Sequence, residues 1–303
     1  LYLFILIGIS CSAELKAQRN GTVYKGNDPA VRYTGRTLVS SDGSVAFDWV
    51  GTYLETRFTG GRLSVKVSET GTSYYNVFVD GKLHKVVKVC GTDTLIHLVS
   101  GIDKRIHSLK IQKRSEGEFG KTTIHQFVLS GSGRLAEEPA VRTRHIEFIG
   151  NSLTCGYGTD GKHRDEPFLV ETENCNLTFA SMVARYYDAD YTLIAHSGRG
   201  AARNYGDSVR VSKVTMKDRM LNTFDEDLTH KWNFKGYLPD LVVINLGSND
   251  FSTEPHPYKS EFTKAYKQIL AQLREHYGDI PILCIYPVAM LSLIHISEPT
   301  RQE

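Results

Sequence analysis

Three short polar segments, each containing glycine, follow apolar runs in the second half of the chain. They read GNSLTCGYG at 150–158, HSGRG at 196–200 and GSND at 247–250. A serine that directly follows a strand, with glycines around it, exposes its hydroxyl where a substrate arrives and is a common nucleophile. Where a helix begins at that point, its backbone N–H groups also stabilise a developing negative charge. Ser152 is therefore a candidate nucleophile, with helix N-capping as the structural alternative.

The elements around these segments predict how they come together. Helical patterns occur at 176–187 and at 262–273. Strands that alternate with helices predict a parallel sheet covered on both faces, and ligands bind beyond the carboxyl ends of such strands. The apolar runs that predict the strands are 145–149, 191–195, 241–246 and 281–286. The apolar residues that share one face of the first helix are Phe179, Met182, Val183 and Tyr186.

The first half has a different pattern, in which short runs alternate between apolar and polar residues from about Thr22 to Ser130. The pair Asp80-Gly81 between two such runs is a strong hairpin signal. Turn residues at this spacing are typical of an all-β sandwich or jelly roll, and no helical pattern stands out. The predicted strands lie at 63–67, 75–79, 85–89, 94–98, 108–112 and 123–129.

The three polar segments, in this order and at these strand ends, resemble blocks one, two and three of the SGNH hydrolases, the GDSL-like esterases. The string GNSLTCGYG behind a β-sandwich is similar to carbohydrate esterase family two, which contains acetyl-xylan esterases and related polysaccharide deacetylases. The resemblance covers residues 22–290. It implies a β + α/β chain, with an N-terminal jelly-roll β-sandwich domain at 18–133. An incomplete SGNH-type three-layer α/β/α hydrolase domain follows at 142–290.

The resemblance also implies roles for three residues. Ser152 corresponds to the nucleophile, which attacks an acetyl carbonyl and forms an acyl-enzyme. Gly198 corresponds to the glycine whose backbone N–H binds the oxyanion, and Asn249 to the asparagine whose side chain binds the same oxygen. Each has a structural alternative, a positive-φ turn for Gly198 and turn chemistry for Asn249-Asp250. Asn151 stands where the wider superfamily has aspartate, as fits this esterase family.

A serine esterase also needs a base, usually a histidine, and in the resembled family it follows the last strand in an Asp-x-x-His string. The two such strings here, at 160–163 and 227–230, lie elsewhere, and we interpret both as coincidental. Residues 291–303 (LSLIHISEPTRQE) continue no pattern of the domain and resemble a sequencing-adapter read-through, so His295 is not a candidate base. We therefore expect a carboxyl-terminally truncated chain with little or no activity.

The start of the chain is an apolar run, Leu1–Ile9, followed by small residues. This pattern matches the later part of a signal peptide whose charged beginning is missing. We expect residues 1–17 to be this partial signal and the protein to be secreted, periplasmic or on the cell surface. A lipid-modified Cys11 and an apolar first strand of the fold are the alternatives.

The composition of the chain argues against several classes of binding partner. The 36 lysines and arginines nearly balance the 34 aspartates and glutamates, and the net charge of +2 does not indicate a nucleic-acid-binding face. No apolar run reaches the roughly 18 residues of a membrane-spanning helix. The five cysteines lack zinc-ligand spacing, so we expect no metal and no cofactor. Cys155 and Cys175 lie at the two ends of one polar loop. The sequence leaves open whether they form a disulfide or stay two free thiols.

The sequence therefore predicts a secreted serine esterase that removes O-acetyl groups from plant polysaccharide of the xylan or mannan type. A carbohydrate-binding protein without catalysis is the alternative from another class. The second alternative is a lipase or thioesterase on the same framework. Such an enzyme needs an apolar surface leading to Ser152, and the charged and polar loop 157–174 disfavours it. Trp232 either lines a sugar pocket or packs in the core.

Overall fold

A computed structural model describes residues 21–137, 139–163 and 165–286 of the chain. The signal peptide predicted at 1–17, with Cys11, lies outside the described residues. The foreign tail predicted at 291–303, with His295, also lies outside them. Within the described ranges, no helix is long and apolar enough to span a membrane.

The first half of the chain forms an antiparallel sheet of seven strands that curls on itself. Its two longest strands, β5 and β6, bend so that each contributes to both layers. The ends of β5 pair with β6 around 106–113, whereas its middle part pairs with β7. The strands are β1 (Thr22–Lys25), β2 (Val31–Thr34), β3 (Leu38–Val39), β4 (Val45–Phe47), β5 (Tyr53–Val79), β6 (Lys82–Lys113) and β7 (Thr122–Ser130).

The alternating runs predicted for this half are confirmed as parts of β5, β6 and β7. Asp80 and Gly81 form the predicted tight turn between β5 and β6, with φ of 51° and 75°, as a two-residue hairpin turn of this kind requires. Alternate residues of the strands point inward and fill the space between the layers with apolar side chains. Phe58, Leu63 and Phe127 are completely buried there.

The second half forms a parallel sheet of four strands in the order β11-β10-β8-β9. All four predicted strands are confirmed, although β10 and β11 are shorter than the apolar runs that predict them. The strands are β8 (His145–Gly150), β9 (Asp190–Ala195), β10 (Leu241–Ile244) and β11 (Ile282–Cys284). The helices are α1 (Ser152–Cys155), α2 (Phe179–Tyr186), α3 (Met216–Arg219) and α4 (Lys259–Tyr277).

Helices cover both faces of this parallel sheet. On one face α2 packs against β8, where the Phe179 and Phe148 rings lie 6.0 Å apart edge to face. On the other face, α4 buries Ile269 and Leu273. They pack against strand residues that alternate, along each strand, with the residues facing α2. The predicted fold class, a β-sandwich followed by a three-layer α/β/α domain, is confirmed.

Helix α2 buries a different side from the one that its apolar pattern indicates. Ala180 and Ala184 are completely buried, whereas Met182 and Tyr186 are 55% and 83% exposed. Small side chains let the helix approach the sheet closely, so the larger residues face outward. The helix is also shorter than predicted, because a separate 3-10 turn occupies Cys175–Leu177.

The two halves are joined by buried charged residues rather than by a flexible linker alone. Asp190, at the start of β9, accepts hydrogen bonds from Arg32 at 2.6 Å and from the Tyr53 hydroxyl at 2.6 Å, both in the sandwich. Arg36 is completely buried and donates to the backbone carbonyl oxygens of Met220 and Asn222. The sandwich is therefore packed against the side of the parallel sheet.

Candidate active site

The three polar segments meet at the carboxyl edge of the parallel sheet. Strands β8 and β9 end in register, with Gly150 paired to Ala195, and β10 ends one position earlier beside β8. Ser152, Gly198 and Asn249 follow the ends of these three adjacent strands by two, three and five residues. The structure therefore brings together the three residues to which the sequence assigned catalytic roles.

Two hydrogen bonds join the third segment to the other two. The Nδ2 of Asn151 donates to Oγ of Ser248 at 2.9 Å. The Nδ2 of Asn249 donates to the backbone oxygen of Arg199 at 2.8 Å. Asn151 is completely buried, and Asn249 is 8% exposed. Asparagine suits both positions because its amide donates hydrogen bonds without introducing a buried charge.

Ser152 is the first residue of α1, and Asn151 occupies the N-cap position that was an alternative for the serine. The Asn151 side chain accepts the N–H of Leu153 at 3.3 Å. Gly156, at φ 86°, ends the helix after a single turn. Gly150 has no space for a side chain, because a Cβ there would lie 2.0 Å from Oγ1 of Thr154. This tight turn leaves the Ser152 hydroxyl free of a capping role.

The backbone around the serine presents unpaired hydrogen-bond donors. Within the part of the chain that the structure describes, the N–H groups of Ser152 and Gly198 have no acceptor. Asn249 uses one of its two amide hydrogens on the Arg199 carbonyl, which leaves the other available. Three hydrogen-bond donors beside a free hydroxyl form the kind of arrangement that stabilises an oxyanion during acyl transfer.

The second segment is held in a turn that only glycine adopts easily. Gly198 has φ of 75°, and a Cβ built there would have only Tyr205 nearby, at 3.9 Å. The segment after it is fixed by the buried carboxylate of Asp250, which accepts the N–H groups of Ala201, Ala202 and Arg203 at 2.6–3.0 Å. Burial raises the pKa of Asp250, and the three backbone donors oppose that shift.

A glutamate of the sandwich reaches into the site, and sequence analysis missed it. Glu116 precedes the 3-10 turn Gly117–Phe119 and is completely buried. Its carboxylate accepts both the backbone N–H and the hydroxyl of Ser197, the residue before Gly198. It lies in the string RSEGEFG, which carries no catalytic motif. Only the packing of the two halves could reveal this contact.

A second buried glutamate lies behind the nucleophile helix. Glu173 accepts the backbone N–H of Glu116 at 2.9 Å. Burial, and then the neighbouring Glu116 carboxylate, raise the pKa of Glu173 well above its ordinary value. Burial and the same two glutamates also raise the pKa of the Cys155 thiol. Burial and mutual repulsion therefore favour the neutral forms of Glu173 and Cys155 in the folded chain.

His196 stands at the start of the second segment and is paired with Asp225. Its Nδ1 lies 2.6 Å from Oδ2 of Asp225, and both side chains are buried. Burial lowers the pKa of His196, but the carboxylates of Asp225 and Glu116 outweigh it and raise that pKa overall. Asp225 and Glu226 also bind Arg219, at 2.9 and 2.8 Å. Asp225 is thus shared between His196 and Arg219.

None of the histidines in the described ranges hydrogen-bonds to Ser152. His230 pairs with Asp227 at 2.6 Å, as the local Asp-x-x-His spacing allows, but its side chain is 53% exposed. In the other string, Asp160 binds the guanidinium of Arg114 and the amide of Asn174 instead of His163. The structure thus gives neither string a contact with the nucleophile.

The sequence left open the role of Trp232 and the state of Cys155 and Cys175. Trp232 is half-buried and lies against Tyr237 and the guanidinium of Arg36, so it packs at the join between the halves. Cys155 and Cys175 are both completely buried, and both are free thiols. The structure therefore favours the packing interpretation for the tryptophan and free thiols over a disulfide.

Two exposed tyrosines bond to the segments that carry the donors. Tyr157 is 48% exposed, donates its N–H to the Ser152 carbonyl at 3.2 Å and stacks on Phe168 at 3.7 Å. Tyr205 is 62% exposed and donates its N–H to the Gly198 carbonyl at 2.8 Å. Amphipathic rings near a polar centre suit a ligand with both apolar faces and hydroxyl groups.

Comparison with known families matches both halves of the chain. The family described as "Carbohydrate esterase 2 N-terminal" matches residues 33–139, and the GDSL-like Lipase/Acylhydrolase family matches residues 148–303. Cellulase/esterase CelE from Acetivibrio thermocellus is 34% identical over 258 residues, which is 85% of this chain and 31% of CelE. An acetylxylan esterase / glucomannan deacetylase from Cellvibrio japonicus is 33% identical, over 72% of this chain and 61% of that protein. The chain thus spans about a third and about three-fifths of these two relatives.

Solved structures show the same arrangement of domains. A family two carbohydrate esterase from Clostridium thermocellum, in complex with cellohexaose, is 33% identical with a TM-score of 0.80, over 88% of this chain and 82% of that chain. A family two carbohydrate esterase from Cellvibrio japonicus is 24% identical with a TM-score of 0.82, over 92% of this chain and 84% of that chain. The second match shows the fold alone.

Proposed function

The chain belongs to carbohydrate esterase family two within the GDSL-like hydrolases, and from this premise we propose that the protein is a carboxylic ester hydrolase that removes O-acetyl groups from plant polysaccharide of the xylan or mannan type. The observation that carries the proposal is the set of unpaired donors beside a free serine hydroxyl. The N–H groups of Ser152 and Gly198 and the side chain of Asn249 converge at one sheet edge. Such a set stabilises the negative oxygen that forms when an ester carbonyl is attacked.

The reaction proceeds through an acyl-enzyme. The Ser152 oxygen attacks the acetyl carbonyl carbon while a base takes its proton, and the carbonyl oxygen becomes negative next to the three donors. The carbon–oxygen bond to the sugar then breaks, and the sugar oxygen receives the proton. A water molecule, deprotonated by the same base, attacks the acetyl-serine in the same way. Acetate leaves, and the proton returns to the Ser152 oxygen.

The base for this reaction is a histidine that the described residues do not place against Ser152. A neutral imidazole at that position would take the proton, and the imidazolium formed would return it, at neutral pH. His196 and His230 are each paired with an aspartate through Nδ1, but neither makes a hydrogen bond to Ser152 through its other ring nitrogen. We therefore also propose that the 303 residues have little esterase activity on their own, and substantial turnover by this chain would contradict that proposal.

A sugar ester fits the surroundings of the site better than a lipid ester does. Tyr157 and Tyr205 have exposed side chains, and their backbone N–H groups bind the carbonyls of Ser152 and Gly198. Aromatic rings pack against the apolar faces of ligands while their hydroxyls hydrogen-bond. Charged side chains such as Glu118 and Glu226 lie exposed nearby, on the cleft between the two halves. A long acyl chain would bury these charges at a cost, which disfavours the lipase and thioesterase alternative.

The test is acetate release from acetylated xylan and acetylated glucomannan, measured with and without added imidazole as a substitute base. We expect release that depends on imidazole and is abolished in Ser152→Ala. Removal of a serine nucleophile typically costs several powers of ten in turnover, so the variant should fall to background. Equal release by the wild-type chain and the Ser152→Ala variant would contradict the assignment of the nucleophile.

We further propose that the protein acts outside the cytoplasm, where polymeric plant cell-wall substrates occur. The support is the sequence pattern of an apolar run followed by small residues at the start of the chain. Expression of the natural gene followed by fractionation of the cells should place the protein in the medium, the periplasm or the surface fraction. Recovery only from the cytoplasmic fraction would contradict this proposal.

A further inference from the structure

We propose that Glu116, a residue of the sandwich domain, is a positioning residue for the oxyanion donor at Gly198. The proposal rests on the esterase function proposed above, because it assigns a purpose to the turn that carries this donor. It makes the sandwich a part of the catalytic apparatus rather than a separate carbohydrate-binding module.

The contact between Glu116 and the second polar segment is short, double and buried. One carboxylate oxygen accepts the backbone N–H of Ser197 at 2.5 Å, and the other accepts the Ser197 hydroxyl. Glu116 is completely buried. Charge-assisted hydrogen bonds in a buried setting are roughly twice as strong as neutral ones, so this pair fixes both the backbone and the side chain of Ser197.

Gly198 needs such an anchor because it has no side chain to hold it. Its φ of 75° is one of many conformations that glycine adopts, and no atom except Cβ of Tyr205 comes within 4 Å of the place where a Cβ would lie. The turn is held at the Gly198 carbonyl by the Tyr205 N–H at 2.8 Å, and on either side of the glycine by two side chains. Glu116 holds Ser197 before the glycine, and Asn249 holds the carbonyl of Arg199 after it.

Glu116 is itself held by the segments that surround the nucleophile. Its backbone N–H donates to Glu173 at 2.9 Å, and the backbone oxygen of Glu173 accepts Nε of Arg114 at 2.7 Å. Arg114 and Glu116 belong to the sandwich, whereas Glu173 follows the nucleophile helix in the chain. This part of the sandwich is thus bonded to the loop that follows the first polar segment and to the second polar segment.

The Glu116 carboxylate is satisfied by the donors that it holds. The Ser197 N–H and hydroxyl donate to its two oxygens, and Glu116 is one of the groups that raise the pKa of His196, the residue before Ser197. Glu116 thus holds the turn through a pair of hydrogen bonds.

Kinetics with 4-nitrophenyl acetate, with added imidazole as the substitute base and corrected for the Ser152→Ala background, test the proposal. We expect Glu116→Ala to lower kcat about 100-fold with KM nearly unchanged, because a donor misplaced by about 1 Å costs that much. Glu116→Gln should recover at least about tenfold of this loss, since its amide oxygen still accepts the Ser197 N–H. Ser197→Ala combined with Glu116→Ala should be no slower than Glu116→Ala alone, as expected for residues that act through each other. Independent, additive losses, or a loss carried by KM, would overturn the proposal.

Amide hydrogen exchange of the 303-residue chain gives a readout that does not require activity. Glu116→Gln should speed exchange in residues 197–202 at least about tenfold while β8 stays protected, because the anchored turn opens locally. Glu118→Gln is the matched control, since its carboxylate lies on the same turn but 3.6 Å from His196 and without a bond to Ser197. Unchanged exchange at 197–202 in Glu116→Gln would overturn the proposal. If the wild-type chain and Ser152→Ala release equal amounts of acetate, the esterase proposal is wrong. The exchange rates at 197–202 still test whether Glu116 holds the turn.

Discussion

Asn249 donates one hydrogen of its side-chain amide to the carbonyl oxygen of Arg199, 2.8 Å away on another segment of the site. The bond fixes the plane of the amide, so that its second hydrogen has a defined direction. It also ties the third polar segment to the turn that contains Gly198. One residue therefore both builds the site and supplies a donor to it.

Asn249→Ala should lower kcat for ester hydrolysis by about 100- to 1000-fold, because loss of one oxyanion donor typically has this effect. KM should change much less, since the donor acts on charge that develops only in the transition state. Asn233→Ala, which removes an exposed asparagine side chain in the loop before β10, is the control and should be fully active. Steady-state kinetics under the imidazole conditions above would measure both, and equal rates for the two variants would contradict the role of Asn249.

Gly198→Ala should cost activity and stability together. A residue with a Cβ at φ of 75° is strained by about 1 to 2 kcal/mol, and relief of the strain would turn the N–H away from the site. Gly236, in the loop before β10, has a similar φ of 80° and no atom near its missing Cβ, so Gly236→Ala imposes similar strain away from the donors.

Urea unfolding and kinetics of the two glycine variants separate the effects. We expect similar losses of unfolding free energy in both and a drop of at least about tenfold in kcat for Gly198→Ala alone. If Gly236→Ala loses kcat to the same extent, the N–H of Gly198 has no special function.

Glu173→Gln should change how stability depends on pH. The raised pKa of Glu173, caused first by burial and then by Glu116, means that the folded chain holds a proton that the unfolded chain releases above about pH 4.5. The stability linked to this proton is complete below that pH and is lost as pH rises toward the folded pKa. Glutamine imitates the protonated acid at every pH, so the variant avoids the loss.

Urea unfolding between pH 5 and pH 8 measures this effect. The free energy of unfolding of Glu173→Gln should rise relative to wild type by about 1.4 kcal/mol per pH unit at most. Glu171→Gln, an exposed change two residues earlier, controls for the loss of a negative charge. A constant difference between Glu173→Gln and wild type across this range would show that Glu173 is ionised in the folded chain.

Arg36→Met should strongly destabilise the join between the two halves. The Arg36 guanidinium lies 3.6 Å from the completely buried carboxylate of Glu147 and donates to two backbone carbonyls. Removal of one partner of a buried ion pair costs about 3 to 5 kcal/mol, because the other charge stays buried without compensation. The double variant Arg36→Met with Glu147→Gln should recover part of this loss in urea unfolding. A double variant less stable than Arg36→Met would contradict the pairing.

Much of the fold could be predicted, because local patterns carry the relevant physics. The alternating runs of β5 and β6 and the Asp80-Gly81 turn follow from period-two burial and from the φ that the turn needs. The buried side of α2 could not be predicted from its apolar residues. Ala180 and Ala184 face the sheet because close approach favours small side chains there, and sequence spacing does not report that distance.

The sequence by itself determined which residues could perform ester hydrolysis: a serine, a glycine and an asparagine, each placed just after an apolar strand. Parallel strands bring their carboxyl ends to one edge, so Ser152, Gly198 and Asn249 had to be neighbours once the sheet formed. Only the tertiary structure decided what holds them in place. Glu116 is 36 residues before Ser152 and 81 before Ser197, and its contact depends on how the sandwich packs against the sheet. A local sequence pattern cannot predict this contact, because the packing depends on charged groups and surfaces that both halves of the chain bury together.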